Sequence, residues 1–332
     1  MNLHTILPLN GALLWKDWRN SMAMIFTYLG FITVTHPVAL LQALNRANRN
    51  PDAGIHIYIS HLIDRLQFMG DFYFNVTMVM AVVLLGSILV GEERRRNTYS
   101  LLLAMPFSRR QVMLSKYVLG VASIFGVYLI NGLFLAAIVA SSAELGGIVS
   151  FQAIFRWMLL QVVVMVAILS FTFVFASLTG TTAASAVLTA IFLVFPAGFV
   201  EMVAINLSHR IGYEAYSVLA PVREFSLVIS LFQYSSDMNM ALEAWPWLVA
   251  ASVLMLLLTL RVFEANPMEK NGEVLVIEAV KPLFRIGVPL CFTLFFGGFG
   301  HNALEIATAY VVGAIVGGLI THYTIGLRRA MP

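Results

Sequence analysis

Charge is scarce in this 332-residue sequence. Only 11% of the residues are charged, 60% are hydrophobic, and the mean hydropathy is +0.86. Soluble domains are roughly half apolar and about a quarter charged, so this chain lacks the polar side chains to cover a water-facing surface, which excludes a soluble enzyme. Cysteine is nearly absent. Cys291 stands alone, which rules out a disulfide within the chain and argues against redox chemistry. The sequence also lacks the phosphate-cradling string G-x-x-x-x-G-K-[ST], as well as H-E-x-x-H and G-x-S-x-G. Without the first it has no motif for ATP hydrolysis, and without the others none for a zinc protease or a serine hydrolase. The excess of basic residues, +3 overall, is spread between apolar segments and cannot form a stripe for nucleic acid.

What the sequence does contain is long apolar runs. At about 20 residues per crossing, eight spans fit at 21–44, 72–90, 117–139, 157–178, 183–205, 245–260, 286–300 and 306–327. The first run follows Lys16 and Arg19 but is too long for the apolar core of a signal peptide, and no small-residue cleavage site follows it, so it reads as a retained helix. The seventh is short and contains Pro289 and Gly297-Gly298, which leaves a re-entrant segment as the alternative. No loop has room for a separate catalytic domain. The expected fold is an all-α polytopic membrane helical bundle of about eight transmembrane helices, with no internal repeat.

Eight crossings with the N-terminus inside put both termini in the cytoplasm. Of the 20 Lys and Arg, 14 then fall inside and 6 outside, against 7 and 10 acidic residues, which gives +7 inside and −4 outside. This is the asymmetry that the positive-inside rule requires. Basic groups beside an anionic leaflet gain about 1 kcal/mol each.

The segments between spans carry further pattern. Before the first span, Leu14, Trp15, Trp18 and Met22 share one helical face, and Lys16, Asp17, Arg19 and Asn20 the other. That pattern fits an interfacial helix over residues 1–20 or a simple flanking anchor. On the outside, Ile55, Ile59, Leu62, Ile63, Leu66 and Met69 form an amphipathic stripe. A second external helix, or re-entrant pair, is expected at 222–232, started by Pro221. His56 and His61 lie five apart, off a common helix face, and read as solvated surface residues rather than metal ligands.

The most informative stretch is GEERRRNTYSLLLAMPFSRRQVMLSK, residues 91–116. Glu92 and Glu93 precede Arg94, Arg95 and Arg96. An apolar stretch containing Leu101 and Leu102 ends at Pro106, which cannot continue a helix's hydrogen bonding. A new helix then begins with a capping box, Ser108 with Gln111, and a hydrophobic staple, Phe107 with Val112. Helix, corner and helix are thus specified on the cytoplasmic side. A fixed corner fits a lever or a partner dock, and an ordinary basic loop ahead of a well-capped helix fits as well.

Ionisable residues are nearly absent within the spans. Glu201 and Arg156 lie near outer ends, and no chain of buried carboxylates is visible, which argues against a proton-coupled pump. Asn131 and Gln161 fit interhelical hydrogen bonding better than ligand binding; together with Glu201 they are the candidates for a substrate pathway. Gly313 and Gly317 form a G-x-x-x-G pair that permits close helix contact within or between chains.

With these features the sequence resembles the membrane subunits of bacterial ABC transporters, specifically ABC type 2 exporter permeases. That family has an N-terminal interfacial helix and a cytoplasmic coupling helix between spans two and three. Its loose signature is matched here by Glu92 and Glu93, Asn97-Thr98, Leu101-Leu102, Pro106, Arg109-Arg110 and Lys116, with Asn97 standing where the family usually has glycine. The resemblance covers roughly residues 9–260. It implies a six-span core over 21–260 with a coupling helix near 92–110, followed by a cytoplasmic linker over 261–285 and a C-terminal helix pair over 286–332.

The resemblance further implies a permease in the bacterial cytoplasmic membrane. A separate ATPase subunit, which holds the ATP and Mg, would drive it, and a second permease, the same chain or a relative, would complete it among the membrane lipids. Export of an amphipathic or hydrophobic substrate is the family expectation, with no cofactor in this chain. The dock implied for the ATPase comprises Glu92, Glu93, Arg94, Arg95, Arg96, Leu101, Leu102, Pro106, Arg109 and Arg110, with Trp15, Lys16, Trp18 and Arg19 of the interfacial helix. Two other classes fit the composition: a membrane-embedded lipid-modifying enzyme, and a sensory or assembly component that moves nothing.

Overall fold

The computed structural model describes residues 10–49, 72–95, 107–265 and 281–326. They are helical, with no strand among them. Eight main helices follow in chain order: α1 (Gly11–Arg49), α2 (Phe72–Arg95), α3 (Arg109–Ser141), α4 (Phe151–Leu178), α5 (Thr182–Ile211), α6 (Met238–Ala265), α7 (Lys281–Gly297) and α8 (Ala303–Gly326). Seven of them are long and apolar enough to cross a membrane, and α7 is a shorter apolar helix. This is the polytopic helical bundle expected from the hydropathy.

Local signals set the helix ends. The Ser108 hydroxyl accepts from the Gln111 N–H at 3.2 Å, and the Gln111 side-chain oxygen accepts from the Ser108 N–H at 2.9 Å, closing the capping box at the start of α3. The staple also forms. Phe107 packs against Val112, and Leu13 of α1 completes the cluster. Within α1, Pro37 has no N–H to donate, and the helix widens into a π turn over Val34–Val38 before resuming.

Trp15 and Trp18 lie on α1 itself. The separate interfacial helix expected over residues 1–20 is, over its described part, continuous with the first span, since Gly11–Thr33 is one α-helix. The external amphipathic stripe at 55–69, with His56 and His61, lies outside the described residues. The apolar stretch at 222–232 is not a single helix. Ala220–Ile229 ends at Ser230, whose hydroxyl donates to the Leu193 carbonyl at 2.9 Å, and Leu231–Ser236 follows.

The chain divides into two compact units. One comprises residues 1–177 and 231–265, the other 178–230 and 266–332. In the first, Gly86 of α2 and Gly120 of α3 admit Thr172 and Leu169 of α4, where a Cβ would come within 2.8 Å of either side chain. At the centre of this unit the Tyr28 hydroxyl donates to that of Tyr128 at 2.9 Å. Trp157 packs edge-on against Tyr128 and tilted against His36. His36 is a buried ionisable side chain in the first span that the sequence reading passed over.

In the second unit α7 and α8 form a helical hairpin. α7 continues through Pro289 as one 17-residue helix. The Gly313 and Gly317 pair serves contact within the chain. A Cβ on Gly313 would lie 2.5 Å from the Phe292 carbonyl oxygen, and one on Gly317 would lie 2.6 Å from the Cα of Pro289. Asn206 ties the hairpin to α5. Its amide donates to the Leu294 carbonyl at 2.8 Å, and its oxygen accepts from the Tyr310 hydroxyl at 2.8 Å.

Candidate functional site

Lys116, at the end that the charge asymmetry assigns to the cytoplasm, is almost fully buried. It lies on the same side of α3 as Val112, Ser115, Leu119 and Gly120, all of them buried, so the helix carries it into the bundle. An ammonium there requires partners, and three surround it. Its Nζ lies 3.1 Å from Asp17 Oδ1 of α1 and 2.9 Å from Glu93 Oε1 of α2, and it donates to the Leu89 carbonyl at 2.7 Å. Asp17 and Glu93 are equally buried. Lys16, partly exposed, bonds to Glu93 and stands 3.4 Å from Asp17. Two cations and two carboxylates make a neutral cluster joining α1, α2 and α3.

The cluster has members on both sides of residues 96–106. Glu93 is followed within two residues by the end of α2, and Lys116 comes two turns after the start of α3. A second contact fixes α3 at its first turn. Arg110 grips the Glu264 carboxylate of α6 with two nitrogens, one of them Nη2 at 3.0 Å, and Arg109 Nη1 donates to the Glu264 carbonyl at 3.0 Å. Exposed pairs of this kind add little stability because water screens them; what this one adds is geometry.

The residues expected in the dock divide accordingly. Glu93 faces inward, and Arg109 and Arg110 reach across to α6. Glu92 lines a narrow cleft with Asp17, Asn20, Ser21, Ile88, Leu89 and Lys116. Arg94 and Arg95 belong to the last turn of α2, while Arg96, Leu101, Leu102 and Pro106 lie outside the described residues. Trp15 and Arg19 are exposed, and Trp18 stacks edge-on with Phe26.

Of the pathway candidates, Asn131 and Gln161 belong to the first unit and Glu201 to the second. Asn131 and Gln161 are fully buried in the first unit. The Gln161 side-chain oxygen accepts from the Tyr128 hydroxyl at 3.4 Å, joining α4 to α3, whereas the Asn131 amide caps Val127 of its own helix. Glu201 belongs to the second unit, where it is exposed and paired with Arg223 at 2.9 Å. Arg223 also rests over the Tyr216 ring.

Sequence reasoning missed Asp17 and Glu264. Asp17 was placed on a polar face with Lys16, Arg19 and Asn20, yet the inward stripe of α1 is Leu13, Asp17, Ser21, Ile25, Tyr28 and Ile32. Extending the helical period from Ile25 and Tyr28 back through Ser21 would have found it. Glu264 follows the sixth span with no local feature to single it out.

The profile of the family described as ABC-2 family transporter protein matches residues 14–196, more than half of the chain and the whole of the charge cluster with its flanking helices. The chain belongs to this ABC-2 transporter family. It is a membrane-spanning ABC transporter permease, a multi-pass protein of the bacterial cytoplasmic membrane. A probable ABC transporter permease of Bacillus subtilis, YtrD, is 23% identical over 326 residues, covering 95% of this permease and 97% of that protein. The likeness therefore reaches beyond the six-span core into the C-terminal pair of the ABC-2 permease. No solved structure matches the chain.

Proposed function

We propose that this permease is driven by a separate cytoplasmic ATPase subunit, which docks on the segment from Glu92 to Arg110. The observation that carries the reading is the double anchoring of that segment, by the buried Lys116 cluster on α1, α2 and α3 and by the Arg110–Glu264 contact on α6. A loop whose ends are free absorbs a push, whereas one anchored at both ends transmits it. ATP and Mg belong to the ATPase, and its closure on ATP displaces the corner and rocks the helices joined to it. A second permease, the same chain or a relative, completes the pathway among the surrounding lipids. The cargo is an amphipathic or hydrophobic molecule moved outward, in keeping with a bundle that has few ionisable side chains within its spans.

Family membership favours transport over the lipid-modifying enzyme. The remaining alternative, a sensor that binds an ATPase without moving cargo, is separated by experiment. Reversal of Arg94, Arg95 and Arg96 to Glu changes the charge of the segment by six units and leaves the buried cluster untouched. The expected result is a folded permease that no longer stimulates ATP turnover by its ATPase, measured in reconstituted vesicles. Unchanged stimulation would remove this segment as the dock. Stimulation that does not respond to any candidate cargo would favour the sensor.

A further inference from the structure

Arg109 and Arg110 occupy the first two positions of α3, where the helix dipole disfavours cations. Their guanidinium groups extend instead to the last turn of α6, where free carbonyls and the dipole's negative end favour them. The Glu264 carboxylate takes Arg110 through two nitrogens, and the Glu264 carbonyl takes Arg109. Three hydrogen bonds thus converge on one residue of α6 from the first turn of the helix that leaves the corner.

We infer that Glu264 is a positioning residue that locks the cytoplasmic end of α6 to the start of α3, so that a push on the corner moves α6 together with α1 and α3. The inference rests on the ATPase-docking reading for its role in transport. The lock itself is a property of the permease alone. Arg is suited to such a lock and Lys is not, because only the planar fork engages both carboxylate oxygens.

The test uses the full chain with Cys291, its only cysteine, replaced by Ser. Spin labels on cysteines introduced at Leu114, beyond the dock and the capping box, and Ala265 report the distance between α3 and the end of α6 in vesicles, with and without the ATPase subunit and ATP. The expected result is one narrow distance that ATP does not change. Glu264→Ala should broaden it, and ATP turnover in that variant should fall at least threefold while assembly with the ATPase is kept. The paired exchange Arg110→Glu with Glu264→Arg should restore both, which a merely structural effect of losing Glu264 would not predict.

A narrow distance in Glu264→Ala, or an ATP-driven separation of the labels in the parent protein, would overturn the lock. If no ATPase binds, the docking reading fails, while the distances in the permease alone still decide whether α3 and α6 are held together.

Discussion

Lys116→Met should reduce the stability of the permease by about 3 kcal/mol, roughly a hundredfold in the folding equilibrium. The substitution keeps an unbranched side chain one atom shorter but leaves Asp17 and Glu93 buried without the ammonium that both contact. Removing one partner of a buried ion pair costs about 3–5 kcal/mol because the other charge is stranded. The low end of that range applies here, since Lys16 still reaches Glu93. The Leu89 carbonyl loses its side-chain donor as well.

Replacing the three buried charges together is expected to be milder. In Asp17→Leu/Glu93→Met/Lys116→Met no buried charge is stranded, since the Lys16 that remains is partly exposed, and apolar replacements of buried ion pairs are often neutral in stability. Thermal unfolding in detergent measures both variants. If the single and triple substitutions were equally harmful, the cluster would matter for its packing rather than for its charge. The triple variant also separates folding from coupling. It should fold, yet hold the end of α2 less firmly to α1 and α3 and so stimulate the ATPase less.

The second large effect is expected at the α7–α8 hairpin. Gly313→Val and Gly317→Val should each destabilise the protein by about 3 kcal/mol or more, at or above the upper end of the cost of overpacking. The atoms that a Cβ would strike are backbone: the Phe292 carbonyl and Thr293 Cα for Gly313, and Pro289 Cα for Gly317. Backbone cannot rotate aside as a side chain does, so the two helices must part along the contact. Gly318 is the internal control. Nothing lies within 4 Å of a Cβ placed there, and Gly318→Val should unfold near the parent temperature apart from a small propensity change. Equal effects at 317 and 318 would contradict the close contact.

These sites were unequally legible in the sequence. The capping box at Ser108 and Gln111 and the staple between Phe107 and Val112 are readable because each is made by residues at most five apart. The spans are readable because the membrane imposes length and hydropathy on them. The Lys116 cluster is not readable in the same way, because Asp17 and Lys116 are 99 positions apart. Each of its members sits at the end of a span, where a charge ordinarily faces headgroups and water. Only the packing of three helices turns them inward. The π turn at Val34–Val38 has a local cause, Pro37 in an apolar run, whereas the G-x-x-x-G pair permitted a close contact of α8 without saying that α7 makes it. Glu264 had no local signal, since its meaning depends on where α3 begins.

If the segment between α2 and α3 receives the ATPase, site-specific photo-cross-linking from that segment captures the subunit. A photoreactive residue at Leu101, in the permease expressed and purified from its native membrane, should capture a nucleotide-binding subunit, and the same probe at Trp247, an exposed residue near the start of α6 and so toward the end opposite Glu264, should not. Capture of no ATPase from position 101, with a permease that is folded by thermal unfolding, would contradict the claim.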